Sequence, residues 1–388
     1  MDRETGRDGA RAGGRRADGA GWGADGAGWG AADAGMSRRE LLRAAAAGSV
    51  LLGCAPLAGA TSATDYRLPA TDYPPLKPPR LRSGQTVGLI NPAGASYVSW
   101  DLEVVEESLA ALGFRTVRGA HVLDRRGYFA GTDEERAADL NRMFADDAID
   151  GILCVRGGWG SARILSLIDY DAVRAHPKVF VGYSDVTALL LAMHARTGLV
   201  GFHGPVGTAT WNEFSVGWFR RVLMDAEAVT FANPIDVGDN LVQTSDRVQT
   251  ITPGRARGRV LGGNLSVLTG IVGSGYLPDW DGAILFLEEI GEDIYRVDRM
   301  LTQLKLAGIL DAVAGVVFGK CTDCDSGETY GSLTLEEVLD DHLQPLGVPA
   351  WYGAMIGHIA DKWTVPVGTE VEIDADAGTV TMLEPAVV

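Results

Sequence analysis

The chain of 388 residues is 46% hydrophobic and 22% charged, enough apolar material for two globular domains of ordinary size. Its 51 acidic residues outweigh 34 basic ones, giving a net charge of −17; such a field repels phosphate backbones and excludes nucleic acid as a partner. Four cysteines are too few for a disulfide-built scaffold.

The first stretch is expected to lie outside any fold. Residues Asp18–Ala24 and Asp25–Ala31 repeat DGAGWGA in tandem, and sequence so rich in Gly and Ala lacks the large apolar groups a core needs. Residues 1–35 are therefore read as a disordered leader, with Met36 as the true translation start. Residues 36–63 read as a twin-arginine export signal: Arg38-Arg39, then an apolar Ala/Val/Leu stretch, then small residues suited to a signal peptidase. The apolar run is too short to span a bilayer. Two processing routes stay open, lipidation of Cys54 after Leu51-Leu52-Gly53, or cleavage at Ala58-Gly59-Ala60. Residues 64–83 are Pro-rich and form either a tether or an extended arm.

Residues 84–229 carry an alternating strand–helix pattern. Buried strands are predicted in QTVGLI, DGILCV, KVFVG and GLVGFH, a further strand in FRTVRG, and helices over Asp101–Leu112, Asp133–Phe144, Ser161–Ile168 and Val186–Arg196. This alternation specifies an α/β domain with a parallel sheet covered on both faces. After Val229 the sequence turns to short alternating runs and turns, so residues 230–257 are placed as an inter-domain linker and 258–388 as a smaller mixed α+β domain. The latter holds the strands AILFLEE and GVVFGK, helices over Tyr295–Leu306 and Leu335–Leu343, and the pair TEVEIDADAGTVTML around an Asp-Ala-Gly turn.

Ligands of open parallel sheets sit at the carboxyl ends of the strands. Four such ends are polar or Gly-rich: Asn91–Gly94, Arg156–Gly160, Gly182–Asp185 and His203–Pro205. Ser184 in GYSDV stands between a strand and a helix, where a serine is either a nucleophile or a helix cap. Val186 occupies the place of the second Gly of G-x-S-x-G, so local sequence leaves both open. Arg163 likewise breaks the dinucleotide fingerprint in the Arg156–Gly160 loop, leaving a tight turn or an oxyanion-binding loop. A nucleophilic serine needs a base, and His203 and His358 both follow apolar runs. His121, His176, His194 and His342 are read as surface residues. Glu288 and Glu289 end one strand and point to opposite faces, so one of them can reach a given site; the plainer alternative leaves both solvated. Cys321 and Cys324 form a lone CxxC without the second pair that zinc needs; they are two loop thiols or an oxidised pair.

Taken in order, NPAG, RGGWG, GYSDVTALL, GFHGP, GRVLGGNLSVL, FLEEIGEDIYRVDRML and GHIADKWTVPVG resemble the LD-carboxypeptidase (muramoyltetrapeptide carboxypeptidase) family of serine peptidases, over about Gln85–Met382. The resemblance implies an amidotransferase-like α/β domain joined to a smaller second domain, with Ser184 as nucleophile, His358 as base and Glu288 as the acid. It also implies oxyanion donors at the backbone N–H groups of Gly158 and Asp185, and His203 lining the cleft. Arg156 and Arg296 are candidates for the substrate's free carboxylate, and Asn264 for another substrate contact. Cleavage of a terminal D-alanine from the peptidoglycan stem peptide is the implied reaction. It needs no cofactor or metal, and the family resemblance also implies a homodimer. With the export signal, the expected place of work is the cell envelope.

Overall fold

The computed structural model describes residues 73–326 and 331–388; the DGAGWGA repeat, the twin-arginine segment and Cys54 lie outside them. The strands in chain order are β1 (Thr86–Ile90), β2 (Arg115–Arg118), β3 (Gly151–Cys154), β4 (Val179–Gly182) and β5 (Gly201–His203) in the first half. The second half adds β6 (Thr230–Ala232), β7 (Gln249–Thr252), β8 (Arg255–Asn264), β9 (Ile284–Ile290), β10 (Gly315–Thr322), β11 (Ala350–Tyr352), β12 (Val365–Val367), β13 (Glu370–Asp374) and β14 (Thr379–Met382).

The first five strands pair in parallel, in the order β5-β4-β3-β1-β2. Strands β1, β3, β4 and β5 are buried along their whole length, as a sheet covered on both faces requires. The second sheet has eight strands in the order β6-β14-β13-β8-β9-β10-β11-β7, with a parallel centre from β8 to β11 and antiparallel flanks. One strand crosses over: β12, from the second half, pairs antiparallel with β5 and becomes the edge of the first sheet. The chain between β11 and β12 therefore runs from one sheet to the other.

Several expected elements shift. The predicted helix Ser161–Ile168 is a 3-10 helix, Ser161–Leu167, entered through Gly160 at φ 106°. The helix after Ser184 spans Thr187–Thr197 and is preceded by a 3-10 turn, Ser184–Val186. Two short helices, Tyr170–Ala175 and Glu213–Phe219, were not legible, and Asp169 and Asn212 cap them through their side chains. The Pro-rich segment, where described, is an arm on the body of the protein: Leu76 N–H donates to Gly198 O, Leu81 N–H to Leu223 O, and Arg80 N–H to Val388 O. Cys321 and Cys324 are joined in a disulfide at the end of β10, while Cys154 is a buried thiol whose pKa burial pushes up.

Candidate active site

Ser184 follows β4 directly. Its backbone is left-handed, φ 63°, a conformation that costs an L residue about 1 kcal/mol or more. No helix N–H is capped by its side chain. Instead its Oγ lies 2.9 Å from Nε2 of His358, and Nδ1 of His358 lies 2.8 Å from Oε2 of Glu288. The strained turn thus holds the hydroxyl away from the cap position and toward the histidine.

Each partner arrives by a different route. Glu288 lies near the carboxyl end of β9, in register with Asn264 of β8, and is fully buried. His358 sits on the crossing segment between β11 and β12, which is what carries it from the second sheet to the first. Gly357, at φ 126°, lets that segment pass: a Cβ there would stand 3.0 Å from Oε2 of Glu288. Close approach is also built in where the nucleophile's helix meets β8. A Cβ on Gly263 would clash with Thr187, whose Oγ1 accepts the N–H of Asn264 at 3.0 Å.

The Gly-rich loop after β3 packs on the serine itself. A Cβ on Gly157 would lie 3.0 Å from Ser184 Cβ, and Gly158 follows with φ 116° against Gly94. Asp185 ties this loop down: its Oδ2 accepts the N–H of Ser161 at 2.7 Å, and its backbone carbonyl accepts the Ser161 hydroxyl. Burial raises the Asp185 pKa, and the hydrogen bonds from Ser161 and Gly160 oppose that rise. This use of the carboxylate was missed in the sequence; a serine following the Gly-rich run was the only hint.

The remaining candidates divide. Asn264 is buried with both amide ends engaged, Nδ2 donating to Glu289 and Oδ1 accepting Val267 N–H, so it builds the end of β8. Arg296 is exposed and paired with Glu292 and Asp293 on its own turn. Arg156 donates Nη1 to Ala95 O at 2.8 Å, beside the Gly-rich loop. Glu289, the other acid, is buried rather than solvated and receives Asn264, Ser266 N–H and its neighbour's N–H; burial raises its pKa.

Among the histidines, His194 and His342 are corrections, since both are buried. His194 Nδ1 lies 3.2 Å from Leu199 O, and His342 Nε2 lies 2.6 Å from Asp298. His203 is likewise too enclosed to line a cleft, at 2% exposed. Its Nε2 is 3.9 Å from Oε1 of Glu288, beyond hydrogen-bond reach, and neither atom has a partner among the described residues. Burial depresses the His203 pKa to about 4, so the ring is neutral and forms no ion pair.

A parallel sheet and a mixed sheet meeting at a serine, a histidine and a buried carboxylate define an α/β peptidase. The chain belongs to the LD-carboxypeptidase family: residues 87–204 match the LD-carboxypeptidase N-terminal domain and residues 257–373 the C-terminal domain. It is 37% identical to the probable murein peptide carboxypeptidase of Bacillus subtilis, over 77% of this chain and 91% of that protein. The fold resembles the microcin C7 self-immunity protein MccF, known from Escherichia coli, with a TM-score of 0.73 at 29% identity over 81% of this chain and all of that one. A muramoyltetrapeptide carboxypeptidase from Oxalobacter formigenes superposes with a TM-score of 0.66 at 27% identity, over 77% of this chain and 98% of that one.

Proposed function

We propose that the protein is a serine-type LD-carboxypeptidase that removes the terminal D-alanine from peptidoglycan tetrapeptides. The observation that carries this reading is the continuous chain Ser184–His358–Glu288, at 2.9 and 2.8 Å, with the serine on a left-handed turn. His358 takes the hydroxyl proton as Ser184 attacks the carbonyl of the diamino acid, and Glu288 holds the imidazole in the tautomer that presents Nε2. The negative charge of the tetrahedral intermediate falls to the N–H groups of Gly158 and Asp185. His358 then returns its proton to the leaving amine of D-alanine, and water, deprotonated by the same base, releases the acyl chain. With Ser184 on the first sheet and Glu288 on the second, the site depends on the two being packed together.

A second reading comes from the likeness to the microcin C7 self-immunity protein, which has been solved with aspartyl sulfamoyl adenosine. Here the same triad would cut an acyl–nucleotide conjugate. A non-catalytic wall-peptide binder is the third. Turnover by the purified protein of a defined tetrapeptide and of an aminoacyl sulfamoyl adenosine separates the three, with Ser184→Ala as control. Release of D-alanine that the substitution abolishes supports the carboxypeptidase, and turnover of the nucleotide conjugate alone supports the immunity enzyme. Binding without turnover leaves the wall-peptide binder.

We place the enzyme in the cell envelope, exported through Arg38-Arg39, anchored at Cys54 if the lipobox is used, and acting as a homodimer. Arg38→Lys with Arg39→Lys should hold a reporter fusion inside the cell; secretion unaffected by the change rules out the twin-arginine route.

A further inference from the structure

The segment that delivers His358 carries a second charged group that the triad leaves unused. Lys362 follows four residues later and is 4% exposed. Its Nζ stands 4.9 Å from the centroid of the Tyr183 ring, and that ring meets the His358 imidazole edge-on, 4.9 Å between centroids. Tyr183 is the residue immediately before Ser184, so its ring stands between the ammonium and the His358 imidazole.

No carboxylate, carbonyl or hydroxyl among the described residues accepts a hydrogen bond from Nζ. Asp361, the adjacent acid, is bound to Nδ2 of Asn212 instead. The backbone around the lysine is fixed: Lys362 N–H donates to Ser215 Oγ at 3.1 Å, and that hydroxyl donates to Ala360 O at 3.0 Å. A fixed loop therefore holds a nearly enclosed ammonium over the Tyr183 ring with no protein oxygen accepting from it, an arrangement that an acceptor arriving from outside would complete. Burial lowers the Lys362 pKa to about 8, with Glu288 and Asp361 pulling it back up, so most molecules keep the charge at neutral pH. Of the arginines read from sequence as carboxylate receptors, Arg296 is paired with Glu292 and Asp293, and Arg156 spends one N–H on Ala95 O beside the Gly-rich loop.

We propose that Lys362 is the specificity residue that receives the free C-terminal carboxylate of the peptide and so makes the site an exopeptidase. The assignment rests on the carboxypeptidase reading above. A terminal carboxylate supplies the acceptor the ammonium lacks, with the Tyr183 ring beneath it. A peptide whose C-terminus is amidated or extended leaves the ammonium unpaired and is rejected.

The test is kcat/KM for one tetrapeptide as free acid and as C-terminal amide, with wild type, Lys362→Met and Lys362→Arg. Wild type should favour the acid by about 10²-fold, the order expected for one charge-assisted contact. Lys362→Met should bring the acid-to-amide ratio to within about threefold of unity, chiefly through KM, and Lys362→Arg should restore part of it. Because the ratio is taken within one preparation, loss of folded protein lowers both rates and leaves it unmoved. If Lys362→Met slows acid and amide by one factor, the lysine acts through Glu288 and the proposal is overturned; an unchanged ratio with unchanged rates overturns it too. Wild type that cleaves neither peptide instead sinks the carboxypeptidase reading, and this assignment with it.

Discussion

Gly157 and Ser184 touch: a Cβ on the glycine would stand 3.0 Å from the serine Cβ and 3.2 Å from its Oγ. The Gly-rich loop is thus a wall against the nucleophile, and a side chain at Gly157 would crowd the serine and press its hydroxyl aside. Gly157→Ala should displace Ser184 Oγ from Nε2 of His358 and lower kcat by about 10²-fold, the order expected for sub-ångström to 1 Å misplacement. Steady-state kinetics alongside circular dichroism checks this; an unchanged kcat would mean the loop yields without moving the serine.

The triad acts as a unit, so its substitutions should not add. Ser184→Ala and His358→Ala should each lower kcat by about 10⁴-fold or more, and the double variant should be no slower than either alone. Glu288→Gln should keep the fold and lose about 10³–10⁴-fold, because an amide can hold the imidazole in the wrong tautomer. Rates that multiply in the double variant would place Ser184 and His358 in separate steps.

Much of this was legible in the sequence because it depends on local pattern. The apolar runs of β1, β3 and β4 and their Gly-rich exits announce a parallel sheet, and the seven ordered motifs place Ser184, Glu288 and His358. The conformation of Ser184 was not legible: G-Y-S-D-V fits a cap and a nucleophile equally, and only the positive φ with the bond to His358 separates them. The crossover of β12 to the first sheet was hidden too, since three residues, Val-Pro-Val, carry no mark of which sheet they join. His194 and Lys362 look like surface residues by type, and long-range packing alone encloses them.

Asp185 should matter through its carboxylate as well as its N–H. Because Oδ2 holds Ser161 N–H at 2.7 Å, Asp185→Ala should release the Gly-rich loop and lower kcat by about 10–10²-fold. Asp185→Asn keeps one acceptor oxygen and should fall between Ala and wild type. Equal rates for Asn and Ala would show that the carboxylate's charge, not its hold on Ser161, is what the site uses.

Two buried neutral histidines set an acid limit on stability. His194 and His203 have folded pKa values near 4 against 6.5 when unfolded, so the unfolded chain gains protons first as pH falls. Stability is present above pH 6.5 and lost as pH falls toward 4. Asp185 and Glu289, raised by burial, act in the opposite sense over the acid range. His194→Gln isolates one histidine: on going from pH 7 to pH 5 the variant should lose about 2 kcal/mol less than wild type in urea unfolding. Parallel losses in the two proteins would mean that His194 takes up its proton while folded.

Lys362 should make the protein less stable than it could be. Its pKa near 8 when folded, against 10.5 in the free side chain, corresponds at pH 7 to a cost on the order of 3 kcal/mol for holding the ammonium out of water. Lys362→Met removes that charge at similar length, so the variant should unfold at higher urea, by about 1–3 kcal/mol at pH 7. The sign with pH is fixed by the lowered pKa: wild-type stability rises between pH 8 and 10.5 as the unfolded chain loses its extra proton, and the gap between the two proteins should close over that window. A variant less stable than wild type at pH 7 would mean the ammonium is paired within the fold. A more stable variant that has lost its preference for a free carboxylate would show stability given up for recognition at this one residue.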